Sequence, residues 1–353
     1  MKIALIADTH WGVRNDHPAF LNNNRLFLEN VFFPYIDTNR ISTIIHAGDL
    51  VDRRKYININ TARSLREDFL DPICDRRINF DIIAGNHDTY YKNTNGINSL
   101  QELVRGERQN YYINPFEWEY DNCKILLLPW ICDDNRLISM DIVRNTNASI
   151  CIGHLELIGR EMYKGSVSMV GDSPSLFGNF DAVYTGHYHH KSSVDNIHYL
   201  GSHAQFTWSD FDDERGFHIL DTETRSVEFI RNPYEMFAKV WYDDRDTTLE
   251  AILKQDFSAY NNKMVKIIVT AKSNPYWFDK FIEELEKQEI IDMQVVEDHR
   301  NLDLQDDDAI INEAESTIEI FNKYIETGSF PGTNKLKLQK VIEELHIEAL
   351  SIQ

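Results

Sequence analysis

Short apolar runs alternate with amphipathic stretches along the first part of the chain. Between the runs, apolar residues recur at helical spacing near Phe20 to Ile36 and near Asn58 to Leu70. The runs and the polar residues that follow them are IALIA then DTH, TIIHA then GDLVD, FDIIA then GNHD, ASICI then GH, and DAVYT then GHYHH. This alternation predicts an α/β fold, in which a two-layered β-sandwich is flanked by helices.

The pattern changes near Phe237, where strand-like FAKVWY, VKIIVTA and IIDMQVVE accompany a helical WFDKFIEELEKQ and predict a small β-α-β domain. An acidic stretch with little to bury then indicates a linker. Beyond it, two apolar stripes at helical spacing stand on either side of TGSFPGTN. The predicted units are a sandwich domain 1–232, a small β-α-β domain 233–297, an acidic linker 298–309 and a helical hairpin 310–353.

The predicted hairpin 310–353 has two interpretations. It can fold back on the parent domain, or it can dock on another protein. Because two short helices cannot bury both of their apolar faces alone, the pattern favours docking.

Charge and cysteine content limit the classes of function. The chain has 353 residues, of which 57 are acidic and 36 basic, and a formal net charge of −21. Such a charge opposes binding to nucleic acid, so a polyanion would need local basic groups, bound metal or a basic partner. The four cysteines form no C-x-x-C pair, which argues against a zinc ribbon or a disulfide framework. No apolar run reaches the roughly 20 residues of a membrane helix, and the start, MKIALIAD, is too short for a signal peptide, so we expect a cytoplasmic protein.

The polar residues after the strands carry the chemistry. Residues at the carboxyl ends of strands in a layered α/β sheet project into one crevice, so the motifs should converge. Oxygen donors mixed with imidazoles, without a thiolate, suit Mn²⁺, Fe or Zn²⁺ better than Ca²⁺. The set is too large for one octahedral ion, and two ions that share a bridging carboxylate are the economical arrangement. The candidate residues are Asp8, His10, Asp49, Asn86, His87, His154, His187 and His189.

The last motif contains three histidines. His187 and His189 are two residues apart in chain that we expect to be extended, so both can face one site while His190 points away. We therefore do not expect His190 to be a ligand.

The order of the motifs adds a family resemblance. The run D-x-H, G-D-x-x-D, G-N-H-D, G-H, G-H-x-H resembles that of the calcineurin-like metallophosphoesterase superfamily. The flanking DTHWG, GHLEL and YLGSHAQFTWSDFDDERGFHILDTET resemble the SbcD-type nuclease subunits of double-strand-break repair complexes, particularly the recombination nuclease subunits of T-even-like phages. The resemblance covers effectively the whole chain, and the β-α-β domain with its helical tail matches the cap and ATPase-binding region of that family. It implies a Mn²⁺-dependent 3′–5′ exonuclease on duplex DNA ends that also cuts single strands, in DNA recombination and repair.

The resemblance also implies roles for individual residues. Two Mn²⁺ ions, with Mg²⁺ as the alternative, would share Asp49 as a bridge. His87 would hydrogen-bond the phosphate or help to protonate the leaving oxygen, and Asp88 would orient a neighbouring histidine. Arg14, Arg53, Arg54 and Lys55 lie beside the motifs as candidate contacts to DNA. The implied ligands are Asp8, His10, Asp49 and His189 for one ion, and Asp49, Asn86, His154 and His187 for the other.

Besides DNA, the resemblance implies two protein partners. The chain has no G-x-x-x-x-G-K-[ST] element, so ATP hydrolysis would come from an SMC-like ATPase subunit of the SbcC type, bound by the hairpin 310–353. A second copy of the chain would form a homodimer through helices.

Trp11, Tyr90 and Tyr91 could stack on a frayed base, although their packing inside the fold is favoured.

Two positions depart from the family pattern, and two alternative functions stay open. Asp52 stands where some relatives have a histidine that assists catalysis, and His203 stands where the family usually has a proline. GDLVDRR also resembles the GDxVDRG of protein phosphatases, so a protein phosphatase or another calcineurin-like phosphoesterase is the first alternative. GNHDTYYKN and DTHWG, however, depart from the GNHE and DxHG of those enzymes. The second alternative is an assembly subunit whose main task is to position the ATPase on DNA ends.

Overall fold

The computed structural model describes residues 1–120, 123–297 and Lys335. The predicted linker 298–309 and hairpin 310–353 therefore lie outside the described residues, except for Lys335. Residues 1–297 belong to one compact unit, Met1–His299. The division of this unit into a sandwich domain and a small domain at residue 232 stays a prediction.

The strands are numbered in chain order. They are β1 Lys2–Ile6, β2 Thr43–His46, β3 Asn79–Ile83, β4 Thr89–Tyr91, β5 Thr94–Asn98, β6 Gln109–Tyr112, β7 Phe116–Tyr120, β8 Cys123–Leu128, β9 Ile150–His154, β10 Glu161–Tyr163, β11 Ser166–Val167, β12 Ala182–Gly186, β13 Ser192–Val194, β14 Ile197–Tyr199, β15 Gly216–Asp221, β16 Val227–Arg231, β17 Phe237–Asp243, β18 Met264–Ala271 and β19 Asp292–Val296. The helical segments are α1 Val13–Asp16, α2 Pro18–Phe27, α3 Phe33–Thr38, α4 Ile59–Leu65, α5 Asp71–Asp75, α6 Leu100–Leu103, α7 Arg136–Asn145, α8 Leu249–Leu253 and α9 Pro275–Glu286.

Two six-stranded sheets form the sandwich in the described part of the chain. The first has the order β16-β15-β1-β2-β3-β6, and the second has the order β13-β14-β12-β9-β8-β7. In the first, β1, β2, β3 and β6 run parallel, and in the second β14, β12, β9 and β8 do. The α/β sandwich predicted from the alternation is confirmed.

Alternating side chains within single strands build the layers. Along β8, Ile125 and Leu127 point into the core between the sheets, whereas Leu126 and Leu128 point to the outer helical layer. Because successive side chains of a strand face opposite sides, a continuous apolar strand can fill two cores at once. This explains why the strands are apolar runs rather than alternating ones.

The two long helices of the first layer each contain a π-helical segment before a proline. Leu28–Phe32 joins α2 to α3, and Arg66–Leu70 joins α4 to α5. The N–H of Phe33 donates to the carbonyl of Leu28, five residues back. A proline follows each of these segments, Pro34 in the first helix and Pro72 in the second. In an α-helix the proline ring would clash with the carbonyl four residues earlier, and the wider π-helical turn avoids that clash.

The small β-α-β fold packs on the sandwich close to the first motif. Its parallel strands β17, β18 and β19 carry α8 and α9 on their buried face. Phe206 and Trp208 of the sandwich pack with Met236 and Phe237 at the start of β17. Gln205 Oε1 accepts hydrogen bonds from the backbone N–H groups of Met236 and Phe237. Among the described residues, no helix is long and apolar enough to cross a membrane.

Candidate metal centre

The ligand-type residues follow strands whose carboxyl ends meet at one edge of the sandwich. In the first sheet, β1 is followed by Asp8 and His10, β2 by Asp49 and β3 by Asn86. In the second sheet, β9 ends at His154 and β12 is followed by His187 and His189. Parallel strands end at the same edge, so this arrangement collects residues from distant parts of the chain.

Side-chain atoms from the two sheets lie within a few ångströms of one another. Asn86 Oδ1 lies 2.9 Å from His154 Nε2 and 2.9 Å from His187 Nδ1. Asp49 Oδ2 lies 3.3 Å from His154 Nε2 and 3.7 Å from His10 Nε2. His10 Nε2 in turn lies 3.0 Å from His189 Nε2. Asp49 therefore stands between two clusters of nitrogen and oxygen donors.

The clusters can be compared with the two ligand sets that the sequence suggests. Asp8, His10 and His189 form one group, and Asp49, His154 and His187 form another, with the donor atoms of each group within 4.8 Å of one another. His87 joins His10 and Asp49 in a third group of the same kind. The structure thus brings all the candidate residues together, while the ligand role of each stays a prediction.

Several of these residues have an unusual backbone conformation. Asp8, His10, Asp49 and His187 have positive φ angles of 50°, 42°, 58° and 93°. Residues other than glycine avoid this region, and strain of this kind collects at functional sites. The expectation that His187 and His189 lie on extended chain is therefore wrong at His187. The left-handed turn there sends the His187 ring to Asn86 and leaves that of His189 beside His10.

Glycines allow the second and third motif turns to touch. A Cβ on Gly85 would lie 2.1 Å from Asp49 Oδ1, and a Cβ on Gly48, which has φ of 91°, would lie 2.4 Å from His154 Nδ1. No side chain fits at either distance. A glycine is thus required before Asp49, where the His154 ring approaches closely, and before Asn86, where Asp49 itself does.

The role expected for Asp88 needs correction. Its fully buried carboxylate accepts hydrogen bonds from the backbone N–H groups of Gly85, Asp49, Leu50 and Val51, at 2.9 to 3.3 Å. These donors occupy both oxygens, so Asp88 holds the backbone of two motif turns together rather than orienting a histidine ring. Burial, together with the charge of Asp49, raises the pKa of Asp88 to about 7.

The electrostatics of the centre favour a positive charge. Burial alone would lower the pKa of His10, but the contact with Asp52 and the charge of Asp49 raise it to about 10. Burial would raise the pKa of Asp49, yet the charge of His154 and its contact with Asp49 hold it well below its ordinary value. Carboxylates that draw a proton into such a buried space will also draw a cation, and the oxygen and imidazole donors fit divalent ions of the Mn²⁺ class. The residues present therefore fit the two-metal site of the prediction.

His87 is held by the second motif. Its Nδ1 lies 2.5 Å from the backbone oxygen of Asp52, and a carbonyl can only accept, so Nδ1 carries the proton. The ring packs edge-on against that of His10, with centroids 4.8 Å apart. Burial lowers the pKa of His87, so the ring is neutral and its Nε2 can accept a proton.

The candidate DNA contacts have different environments. Arg14 Nε donates to the Phe206 oxygen, and Arg53 pairs with Asp16 at 2.8 Å. Lys55 is exposed. Arg54 is half-buried, and its Nη1 is buried without a hydrogen-bond partner among the described residues.

Some residues at the centre were missed or misjudged from the sequence. Trp11 is buried, as packing predicts, but Tyr90 and Tyr91 are exposed by 38% and 51%. Asp52 Oδ1 lies 3.4 Å from His10 Nδ1, so the position noted only as a departure contacts a candidate ligand. Glu156 Oε1 likewise lies 3.9 Å from His187 Nε2. The available signal was the second acidic residue of GDLVD and the glutamate in GHLEL.

Two further residues support His189. Phe206 packs edge-on against both His10 and His189, with centroids 5.7 and 5.6 Å away. Arg215 is buried and donates to the backbone oxygen of His189. His190 instead bonds Asp213, with Nδ1 2.8 Å from Oδ2.

Comparison with known proteins agrees with this geometry. The family model of the calcineurin-like phosphoesterases matches residues 1–191. Exonuclease subunit 1 of Enterobacteria phage T4 is 31% identical over 351 residues, which cover 99% of each chain. The SbcD subunit of the SbcCD nuclease from Staphylococcus saprophyticus is 25% identical over 64% of this chain and 67% of that protein.

A solved structure of an archaeal phosphodiesterase aligns at 17% identity with 65% of this chain and 99% of its own, with a TM-score of 0.33. That likeness is too distant to indicate a function. The family match and the full-length similarity to the phage protein are strong enough to assign the family. The chain belongs to the calcineurin-like phosphoesterase family, whose members are metal-dependent hydrolases, and within that family it resembles the SbcD-type nuclease subunits.

Proposed function

We propose that the chain is the nuclease subunit of a DNA recombination and repair complex. It hydrolyses phosphodiester bonds as a Mn²⁺-dependent 3′–5′ exonuclease on duplex ends and as an endonuclease on single strands. The observation that carries the proposal is the meeting of ligand-type side chains from five strand ends around Asp49. The full-length similarity to an exonuclease subunit supports DNA as the substrate.

The donors around Asp49 support a pair of cations. Two Mn²⁺ ions, or Mg²⁺, would share Asp49, with the remaining ligands divided between them. When bound, such cations supply Lewis acidity, which neutralises phosphate oxygens and lowers the pKa of water at the site. The proposed ligands are Asp8, His10, Asp49 and His189 for one ion, and Asp49, Asn86, His154 and His187 for the other.

His87 and Arg54 would act on the phosphate directly. The Asp52 carbonyl fixes His87 with Nδ1 protonated, so Nε2 is the atom that would take up a proton from solvent and donate it to the leaving oxygen as the P–O bond breaks. Burial lowers the pKa of Arg54, and the nearby charges of Asp49 and Asp88 only partly oppose that decrease. Its buried Nη1 supplies a donor to a phosphate oxygen without first breaking an ion pair.

The proposal is tested by offering the protein two phosphoesters. With Mn²⁺ present, we expect rapid degradation of linear duplex DNA and little release of phosphate from a phosphopeptide. The control is His189→Ala, which removes one donor of the centre and should abolish DNA degradation. Preferential hydrolysis of the phosphopeptide would make the protein a phosphatase and contradict the proposal.

We also propose that the chain works with an SMC-like ATPase of the SbcC type and forms a homodimer, in the cytoplasm of its host. The word "subunit" in the names of its relatives supports a partner, and segment 310–353 is the proposed docking element. Deletion of residues 309–353 should abolish co-purification with the ATPase, whereas His189→Ala should leave it intact. If the shortened chain still associates with the ATPase, the ATPase must dock on the sandwich or the small domain instead.

A further inference from the structure

One strand that ends at the edge of the metal centre is followed by an aromatic ring. β8 lies beside β9 in the second sheet and runs parallel to it, so its carboxyl end reaches the same edge. The residues that follow are Pro129 and Trp130. The Trp130 ring lies 5.2 Å from the His187 ring and 6.1 Å from the His154 ring, measured between centroids. An indole therefore borders the proposed ligands.

The backbone of Trp130 is held rigidly. Its N–H donates to the Ala84 oxygen at 2.8 Å, just before the third motif. Its carbonyl accepts from Asn95 Nδ2 at 2.8 Å and from Asn135 Nδ2 at 2.9 Å. Because these bonds come from three separate segments, the backbone from which the ring projects is fixed before any ligand arrives. The side chain is nevertheless only partly buried, so one part of it stays accessible.

A cavity of about 270 Å³ adjoins the indole and His154. Trp130, Ile131, Leu155 and Leu157 give it apolar walls. Arg136, Glu156 and Asp172 supply polar groups at its border, where Arg136 is already paired with Asp172. The basic groups at the border already face carboxylates, Arg136 facing Asp172 and His154 facing Asp49. The cavity therefore offers no unpaired cation to a phosphate and suits a neutral ring with donors and acceptors on its edge.

We propose that Trp130 and this cavity bind the nucleobase beside the scissile phosphate, with the base stacked on the indole. The inference rests on the proposed nuclease function and adds to it the part of the substrate that the metal centre does not hold. Stacking on an aromatic side chain accepts every base, so the site positions the strand without reading its sequence. The phosphate next to the stacked base then lies at the proposed metal ligands His154 and His187.

The test combines a protein change with a substrate change. Single-turnover cleavage of duplex DNA ends with Mn²⁺ is measured for the wild type, Trp130→Ala and Trp130→Phe. The nucleotides on either side of the bond that is cut are replaced in turn by an abasic residue. We expect Trp130→Ala to lower the cleavage rate of ordinary DNA at subsaturating protein by roughly 5- to 100-fold, mainly because more protein is needed to reach the half-maximal rate. Trp130→Phe, which keeps an aromatic face, should recover most of the loss.

At one of the two abasic positions the wild type should lose a similar factor, and Trp130→Ala should lose nothing further. The matched control is Trp241→Ala, which removes a tryptophan that is 60% exposed on β17 and should leave cleavage unchanged. The inference fails if Trp130→Ala cleaves ordinary DNA as well as the wild type does. It also fails if abasic DNA slows Trp130→Ala by the same factor as it slows the wild type. Should Trp130→Ala not fold, the abasic comparison on the wild type and Trp130→Phe still decides.

Failure of the inference and failure of the proposed function are distinguishable. A wild-type protein that degrades DNA but tolerates abasic residues at both positions contradicts only the base-binding cavity. A wild-type protein that releases no nucleotide from DNA with Mn²⁺ contradicts the nuclease function itself.

Discussion

Two neighbouring arginines next to the second motif differ in how their charge is used. Arg53 is paired with Asp16, and Arg53 Nη2 also reaches Asn15 at 3.2 Å. Arg54 has a buried guanidinium nitrogen with no hydrogen-bond partner in the described part of the chain. A buried donor without a partner is costly and is retained where a ligand supplies the acceptor.

We therefore predict a difference between two matched substitutions. Arg54→Ala should lower the single-turnover rate of DNA cleavage by about 10²-fold, because it removes a charged donor from the phosphate. Arg53→Ala, which breaks a partly exposed ion pair, should change the rate by less than about 3-fold. Rapid-quench measurement at saturating Mn²⁺ gives both values. Equal losses would show that the two arginines only add positive charge to the surface.

Single residues were predicted where their chemistry is restricted. A carboxylate, amide or imidazole that follows an apolar strand has few structural uses, so the candidate ligands could be read from the motifs. The role of Asp88 could not, because its partners are main-chain groups of another motif, 37 to 39 residues earlier for Asp49 to Val51. Trp130 could not be found from the sequence for a similar reason, since only the order of the strands places it beside His187.

At the scale of elements, the turns after β2 and β3 depend on a glycine. Gly85→Ala would put a methyl group 2.1 Å from Asp49 Oδ1 and 2.3 Å from the Asp49 nitrogen. We expect the turns to separate, with a loss of stability of about 1–3 kcal/mol and loss of most Mn²⁺ affinity. Urea unfolding and calorimetric titration with Mn²⁺ measure the two effects.

The control for Gly85→Ala is Gly96→Ala on β5. A Cβ there would meet only Thr94 Oγ1, at 3.3 Å, and the residue is exposed. Stability and Mn²⁺ affinity should stay near the wild-type values. If the two variants behave alike, close approach of the turns is not what positions Asp49.

The inner strands β1, β2, β3, β9 and β12 and the β-α-β fold followed from their apolar runs, whereas the edge strands β6, β7 and β13 and the π-helical segments did not. Helical spacing of apolar residues indicates the α-helices, but it does not show where a hydrogen bond spans five residues instead of four. Pro34 and Pro72 are the signal that was available, since each follows a π-helical segment closely. Only the structure shows that the helical turn before each proline is widened.

For the whole molecule, the cluster of buried carboxylates and imidazoles links folding to metal binding. A ligand that binds only the folded state stabilises it by about 2.7 kcal/mol at 100 times its Kd. Mn²⁺ should therefore raise the Tm of the wild type, and a chelator should reverse the increase. Asp49→Asn, which removes the carboxylate proposed to bridge the two ions, should abolish most of this response in thermal unfolding.

Asp181→Asn is the matched change for Asp49→Asn, because Asp181 pairs with Arg225 on the surface and its side chain is 60% exposed. It should respond to Mn²⁺ as the wild type does. A full response in Asp49→Asn would mean that the ions bind somewhere other than between the two sheets.

The carboxylate of Asp88 joins the turns after β2 and β3 into one body. The amide protons of Asp49, Leu50, Val51 and Gly85 are all bonded to it, so they should exchange with deuterium in a single opening event rather than one by one. Any substrate-induced shift of Asp49 must then carry the Asn86 turn with it. We also expect the second and third motifs to change together during evolution, because the backbone of one turn cannot change its conformation while that of the other stays the same.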